Sequence, residues 1–263
     1  MATDESGTGL VPGSGSPPAP DGSIVTSTAP AADGTVMSLI DHLDELRRRI
    51  VRALLAVALG AVVGFILATR IIDVLIAPLP TGQVQVLAPG DAFFINVKIA
   101  LIFGVIVAMP VILYQGWKFV SPGLTEHERR AVAPWVGLSL VFFALGVGLA
   151  YLILPYATGF LLSFTSAKLV ANIAAGPYFD FVTTMFLAFG IVMEFPILLY
   201  GLARVGILSS ARLRASRRYA ILGIAVFAAI ATPGGDLVSP AALGLTMYLL
   251  YELTILLIRR SGR

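Results

Sequence analysis

The chain has 263 residues, 57% of them apolar and 13% charged, with a formal net charge of +3. An ordinary soluble domain carries about 45–50% apolar and ~25% charged residues. With a mean hydropathy of +0.91, the composition excludes a soluble core wrapped in polar surface and indicates an all-α, multi-spanning membrane protein. Cysteine is absent, which removes disulfide scaffolds, thiolate zinc sites and thiol nucleophiles together.

Residues 1–36 stand apart. The run Gly13-Ser14-Gly15-Ser16-Pro17-Pro18-Ala19-Pro20 has no aromatic residue and no periodicity, so burial cannot offset the entropy of ordering it. The segment carries Asp4, Glu5, Asp21 and Asp33 without any Lys or Arg. It lacks the apolar core of a signal peptide. The expectation is a disordered extension over 1–36 and a membrane domain over 37–263, with Met37 an equally suitable start.

Six apolar stretches follow, at Ile50–Ala68, Phe93–Tyr114, Pro134–Leu154, Phe181–Leu202, Tyr219–Ala231 and Ala241–Ile258. A bilayer core ~30 Å thick needs ~20 helical residues. The first four stretches meet that length, and the last two are expected to form short helices. The fifth, at about 20 Å of helix, stops at the turn Thr232-Pro233-Gly234-Gly235-Asp236, so the hairpin either sits in a locally thinned bilayer, which the charge pattern favours, or does not fully cross.

Orientation follows from Lys and Arg. Of the 18 such residues, fifteen lie before or at the very start of span one, between spans two and three, between spans four and five, or after span six. Only Arg70 and Lys168 fall on the other side, while Lys98 lies inside span two, close enough to the outer face to snorkel. Six spans with both termini in the cytoplasm are therefore expected. The longer external segments, Arg70–Ala92 and Pro155–Asp180, are interrupted by prolines and are expected to form an external cap. The run Phe160–Phe164 within the second suits a short interfacial helix.

One internal echo is present. Residues 103–114 align without gaps with residues 189–200, sharing Phe, Gly, Pro, one Leu and a final Tyr. Two readings stand: convergence on a Pro-kinked span, or a parallel repeat of the transporter kind. Ala108 faces Glu194 in this alignment.

Catalytic chemistry finds no support. The two histidines, His42 and His127, belong to cytoplasmic segments, and no nucleophile elbow or phosphate loop is present. No metal, cofactor or nucleic acid is expected. Three acidic features remain. Asp41, Asp44 and Glu45 share a helical face just before span one, where they serve equally as helix-start acids and as i,i+4 partners of Arg48 and Arg49. Thr125 and Glu128 have capping-box spacing ahead of His127, Arg129 and Arg130. Carboxylates at a membrane surface can also bind an arginine-bearing ligand through guanidinium forks. Glu194 lies about 20 Å into span four, where an ionised group costs at least ~2.5–3.5 kcal/mol. It is either functional, or protonated or bonded to a carbonyl freed by Pro196. Glu252 in span six is a weaker case.

From about residue 37 to 260 the chain resembles the TatC family, the multi-spanning component of the twin-arginine protein translocase. The resemblance rests on His42-Leu43-Asp44-Glu45-Leu46-Arg47-Arg48-Arg49, Ala77-Pro78-Leu79 and Phe93-Phe94 with Lys98. It continues through Pro110-Val111-Ile112-Leu113-Tyr114-Gln115, His127-Glu128-Arg129-Arg130, Ala188-Phe189-Gly190 with Glu194 and Pro196, and Thr232-Pro233. It implies a non-enzymatic receptor in the cytoplasmic membrane that binds twin-arginine signal peptides of folded cargo. Glu45 and Glu128, with Arg47, His127 and Arg130, would form the signal-peptide site. Glu194, Asp236 and Glu252 would contact the single-span partners TatA and TatB within a self-associated complex. The extra Gly in the turn and Ser239-Pro240 depart from the family's usual pattern and bear on the Asp236 equivalence. The residue reading alone also admits a proton-coupled carrier using Glu194 and Glu252.

Overall fold

The computed structural model describes residues 39–80, 82–166, 168, 172–232 and 235–260. The extension over 1–36 and Met37 lie outside the described residues. Those described fold into helices: α1 (Leu39–Ile66), α2 (Ala68–Ile76), α3 (Asp91–Val120), α4 (Glu126–Leu162), α5 (Ala175–Met193), α6 (Phe195–Arg204), α7 (Ser210–Ala215), α8 (Arg217–Ala231) and α9 (Val238–Arg260). A 3-10 turn, Ser121–Gly123, joins α3 to α4. Among the described residues, five segments are long and apolar enough to cross a membrane: α1, α3, α4, α5 with α6 taken together, and α9. The chain is a multi-pass membrane protein.

The helices overrun the apolar stretches that announce them. α1 begins at Leu39, so the acidic and arginine-rich patch is part of its first three turns. α9 runs 23 residues, about 34 Å, which corrects the expectation of a short sixth helix. It gains length because Val238 to Pro240 join its start and Arg259 and Arg260 its end. α8 has only 15 residues, about 22 Å of helix, as its apolar run suggests. The expected interfacial helix at Phe160–Phe164 is also corrected: α4 continues through Pro155 as far as Leu162. A proline inside a long apolar helix is tolerated where neighbouring helices and hydroxyls satisfy the freed carbonyls. Beyond Pro155 the Thr158 hydroxyl donates to the Leu154 carbonyl at 2.8 Å, a side-chain bond along the same helix.

The two segments expected to form a cap do pair. Gln85 N–H donates to the Ile173 carbonyl at 2.8 Å, and Ala175 N–H donates to the Gln85 carbonyl at 2.7 Å. The Tyr178 hydroxyl adds a bond of 2.6 Å to the Leu75 carbonyl of α2. Lys98 does not snorkel freely; it forms an ion pair with Asp180, joining α3 to α5 at the same end of the bundle.

α5 is the central helix. Phe179, Val182, Met185 and Phe189 are almost fully buried, packed with Ile99 of α3, Leu154 of α4 and Leu243 of α9. α1 is peripheral, exposing Leu54, Leu55, Leu59 and Val62. Lipid tails are as apolar as leucine, so helices in a bilayer associate through close packing of small residues. α1 meets α3 in that way: a Cβ added at Gly60 would lie 2.9 Å from the Gly104 Cα, and one at Gly64 would lie 2.8 Å from the Ala100 carbonyl oxygen. Gly146 and Gly190 make the corresponding close approach between α4 and α5.

Candidate functional site

The N-terminal turns of α1 lie against the C-terminal turns of α3, which places Glu45 between two helices. Arg49 Nε donates to Glu45 Oε1 at 3.0 Å, and a second guanidinium nitrogen closes on the same oxygen. Arg49 Nη1 also reaches Gln115 Oε1 of α3 at 3.5 Å. His42 stacks on Phe119, with centroids 4.3 Å apart and planes 16° from parallel, and its Nδ1 lies 4.0 Å from Glu45 Oε2. That second oxygen is buried and meets no protein hydrogen-bond donor. The carboxylate, 13% exposed, is thus held in place by one oxygen, while the other is buried without a protein donor.

The capping box at α4 forms as its spacing predicts. Thr125 N–H donates to Glu128 Oε2 at 3.0 Å, the Thr125 hydroxyl donates to the same oxygen at 2.8 Å, and Glu128 N–H donates back to Thr125 Oγ1 at 3.4 Å. Glu128 is half-buried, His127 is exposed, and exposed Arg130 pairs with Glu126 at 2.7 Å. Arg47 is exposed on α1.

Glu194 sits where span four breaks. Pro196 supplies no N–H, so the ladder fails there, α5 ends at Met193, and α6 starts at Phe195. Pro110, at the matching position of the echo, lies inside an unbroken α3, so the two echoing spans differ in backbone at this point. Glu194 lines a groove of about 420 Å³ whose other walls are almost wholly apolar, among them Trp117 and Val120 of α3, Val136 of α4 and Ile197 of α6. Ser139 also faces it, with its hydroxyl donated to the Val136 carbonyl at 2.9 Å. Glu194 Oε1 is buried without a protein donor. The groove extends to Leu124, beside the capping box.

The remaining two acids take local partners. Asp236, 4% exposed, accepts from Ser239 N–H at 2.5 Å and so caps the start of α9; Pro233 and Gly234 of the preceding turn lie outside the described residues. Glu252 of α9 accepts from Arg217 at the start of α8 at 2.6 Å, pinning the short helix to the long one. Asp236 Oδ2 and Glu252 Oε1 are again buried without a donor. Glu45 and Glu128 thus stand near the α3–α4 junction, with Glu194 at the other end of the groove. Asp236 and Glu252 belong to the α8–α9 hairpin.

Sequence reasoning missed Phe119, Trp117 and Ser139, because nothing local distinguishes an aromatic or Ser at a groove from one in a core. The Lys98–Asp180 pair had a usable signal: opposite charges near the same ends of spans two and four.

Residues 41–245 match the family described as Sec-independent protein translocase protein (TatC). The chain is 43% identical over 237 residues to the Sec-independent protein translocase protein TatC of Frankia casuarinae, covering 84% of this chain and 65% of that protein. It is 36% identical over 234 residues to that of Aquifex aeolicus, covering 86% of this chain and 97% of that protein. A crystal structure described as the twin arginine translocase receptor TatC superposes with a TM-score of 0.74 at 36% identity, over 84% of this chain and 100% of that one. The chain belongs to the TatC family of Sec-independent protein translocases.

Proposed function

We propose that this chain is the receptor of a twin-arginine translocase in the cytoplasmic membrane, and that it captures signal peptides through Glu45 and Glu128. In this reading α8 counts as a sixth, short span in a thinned bilayer, and both termini face the cytoplasm, where fifteen of the 18 Lys and Arg residues then lie. Arg47, His127 and Arg130 flank the two acids. The observation that carries the reading is Glu45: a fixed carboxylate with one oxygen on Arg49 and a buried second oxygen lacking a protein donor. An incoming guanidinium supplies that donor in a charge-assisted bond. The groove from Leu124 to Glu194 offers an apolar path for the hydrophobic part of the peptide.

Glu128 tests the reading cleanly, because its capping role and its charge can be separated. Gln serves a capping box as Glu does, so Glu128→Gln should leave stability nearly unchanged. Capture of a twin-arginine precursor by the full chain in membranes, read by photocrosslinking, should nevertheless fall by about tenfold with the loss of one charge-assisted pair. Equal crosslinking by wild type and Glu128→Gln would reduce Glu128 to a helix cap.

Glu194, Asp236 and Glu252 are proposed to meet the single-span partners TatA and TatB, with copies of this chain assembling around the cargo. A polar side chain of a partner helix would satisfy the unmet oxygen of Glu194. Glu194→Gln, which keeps hydrogen-bonding capacity, should retain partner assembly in co-purification, whereas Glu194→Ala should lose most of it. Full assembly by the alanine variant would make the acid a structural feature only.

A further inference from the structure

A second groove, of about 660 Å³, opens between α2, α3, α4 and α5. It lies at the opposite end of the bundle from Glu45, since α1 carries Glu45 near its start and α2 follows its far end. Its walls are apolar, with Val74, Phe103 and Phe186 among them, and only Arg70, Tyr151 and Thr183 bring polar atoms. The Thr183 hydroxyl is taken by the Phe179 carbonyl at 2.5 Å. Lys98, the neighbouring cation on α3, is neutralised by Asp180. Arg70 is different: it is exposed at the groove and forms no ion pair among the described residues. An apolar trough with an unanswered guanidinium at its edge has the charge and shape of a site for an amphiphilic anion.

We propose that this groove holds one anionic phospholipid of the leaflet opposite Glu45, its phosphate on Arg70 and an acyl chain along Val74, Phe103 and Phe186. Guanidinium forks match phosphate oxygens geometrically, and basic pockets between membrane helices bind acidic lipid headgroups. The Tyr151 ring, partly exposed at the same groove, suits the boundary between headgroup and chain. Size argues against a partner helix as the occupant. A helix is about 10–12 Å wide with its side chains and rises ~5.4 Å per turn, so a volume of about 660 Å³ takes in fewer than two turns of one. A flexible acyl chain enters where a helix can only lie across.

Gly148 provides a way to close the site. It lines the groove, and a Cβ added there meets nothing within 4 Å, so a leucine side chain starts into open space. The test uses the full chain in zwitterionic detergent, exposed separately to phosphatidylglycerol and phosphatidylcholine, with retained lipid counted by native mass spectrometry. Wild type should retain one phosphatidylglycerol with about tenfold preference over phosphatidylcholine, as expected of one charge-assisted contact. Arg70→Gln should remove the preference, Arg70→Lys should keep most of it, and Gly148→Leu should abolish retention of both lipids. The rescue by lysine separates a lost charge from a damaged fold. Equal retention by wild type and Arg70→Gln would overturn the proposal. So would a photoreactive group at Val74 that crosslinks in native membranes to protein and not to lipid.

Discussion

Glu45→Ala should reduce capture of a twin-arginine precursor by at least ~30-fold, because truncating one partner of a buried, hydrogen-bonded charge pair costs about 2–5 kcal/mol. The substitution acts twice. It removes the oxygen proposed to receive the signal peptide, and it leaves Arg49, 11% exposed, with only the long contact to Gln115. Glu45→Gln should also bind poorly, since an amide offers no charge to a guanidinium, yet it keeps an acceptor for Arg49. The two variants should therefore be similar in capture and different in stability, with the glutamine form the more stable. Crosslinking to matched Arg-Arg and Lys-Lys precursors, read beside thermal unfolding, separates these effects. An alanine variant that discriminates Arg-Arg from Lys-Lys as well as wild type would remove Glu45 from the site.

Gly104→Val should detach α1 from α3 and cost the fold heavily, although no charge or functional group is touched. A Cβ at Gly104 would lie 2.6 Å from both the Val57 carbonyl oxygen and the Ala61 nitrogen. These are backbone atoms that cannot rotate away. Overpacking usually costs about 1–3 kcal/mol, and a collision with backbone belongs at the upper end. No hydrophobic drive restores the contact, because the exposed faces of α1 rest equally well against lipid. The expected result is a clearly lowered unfolding temperature in detergent. Gly137→Ala in α4, where an added Cβ meets open space, should instead be neutral or stabilising by about 0.5–1 kcal/mol. Gly104→Val should also weaken precursor capture, because Glu45 on α1 is positioned against Gln115 and Phe119 on α3. Unfolding unchanged by Gly104→Val would mean that the α1–α3 seam is not held by close packing.

Much of this was legible in the chain itself. A bilayer imposes a length and a polarity on every segment that crosses it, so the spans announce themselves as apolar runs. The capping box of Thr125 and Glu128 was readable because it is a contact between residues three apart. The break at Glu194 was half-readable: Pro196 predicts a lost ladder bond, but Pro110 carries the same signal and α3 runs straight through it. Which proline breaks its helix depends on what packs beside it.

Composition and charge spacing determined that this is a helical membrane protein with a strongly one-sided distribution of Lys and Arg, and they flagged Asp41, Asp44 and Glu45, the capping box at Glu128, and Glu194; the resemblance to TatC chose Glu45 and Glu128 among them. Those properties are local, set by each residue's cost of leaving water or by neighbours within one helical turn. The tertiary structure alone decided that Arg49 reaches from Glu45 to Gln115 of α3, that Lys98 pairs with Asp180 and that Arg217 pairs with Glu252. It also placed Glu194 on an apolar groove and Arg70 on another. Such pairings join residues from different helices, and they follow from how those helices pack, which no single helix can determine.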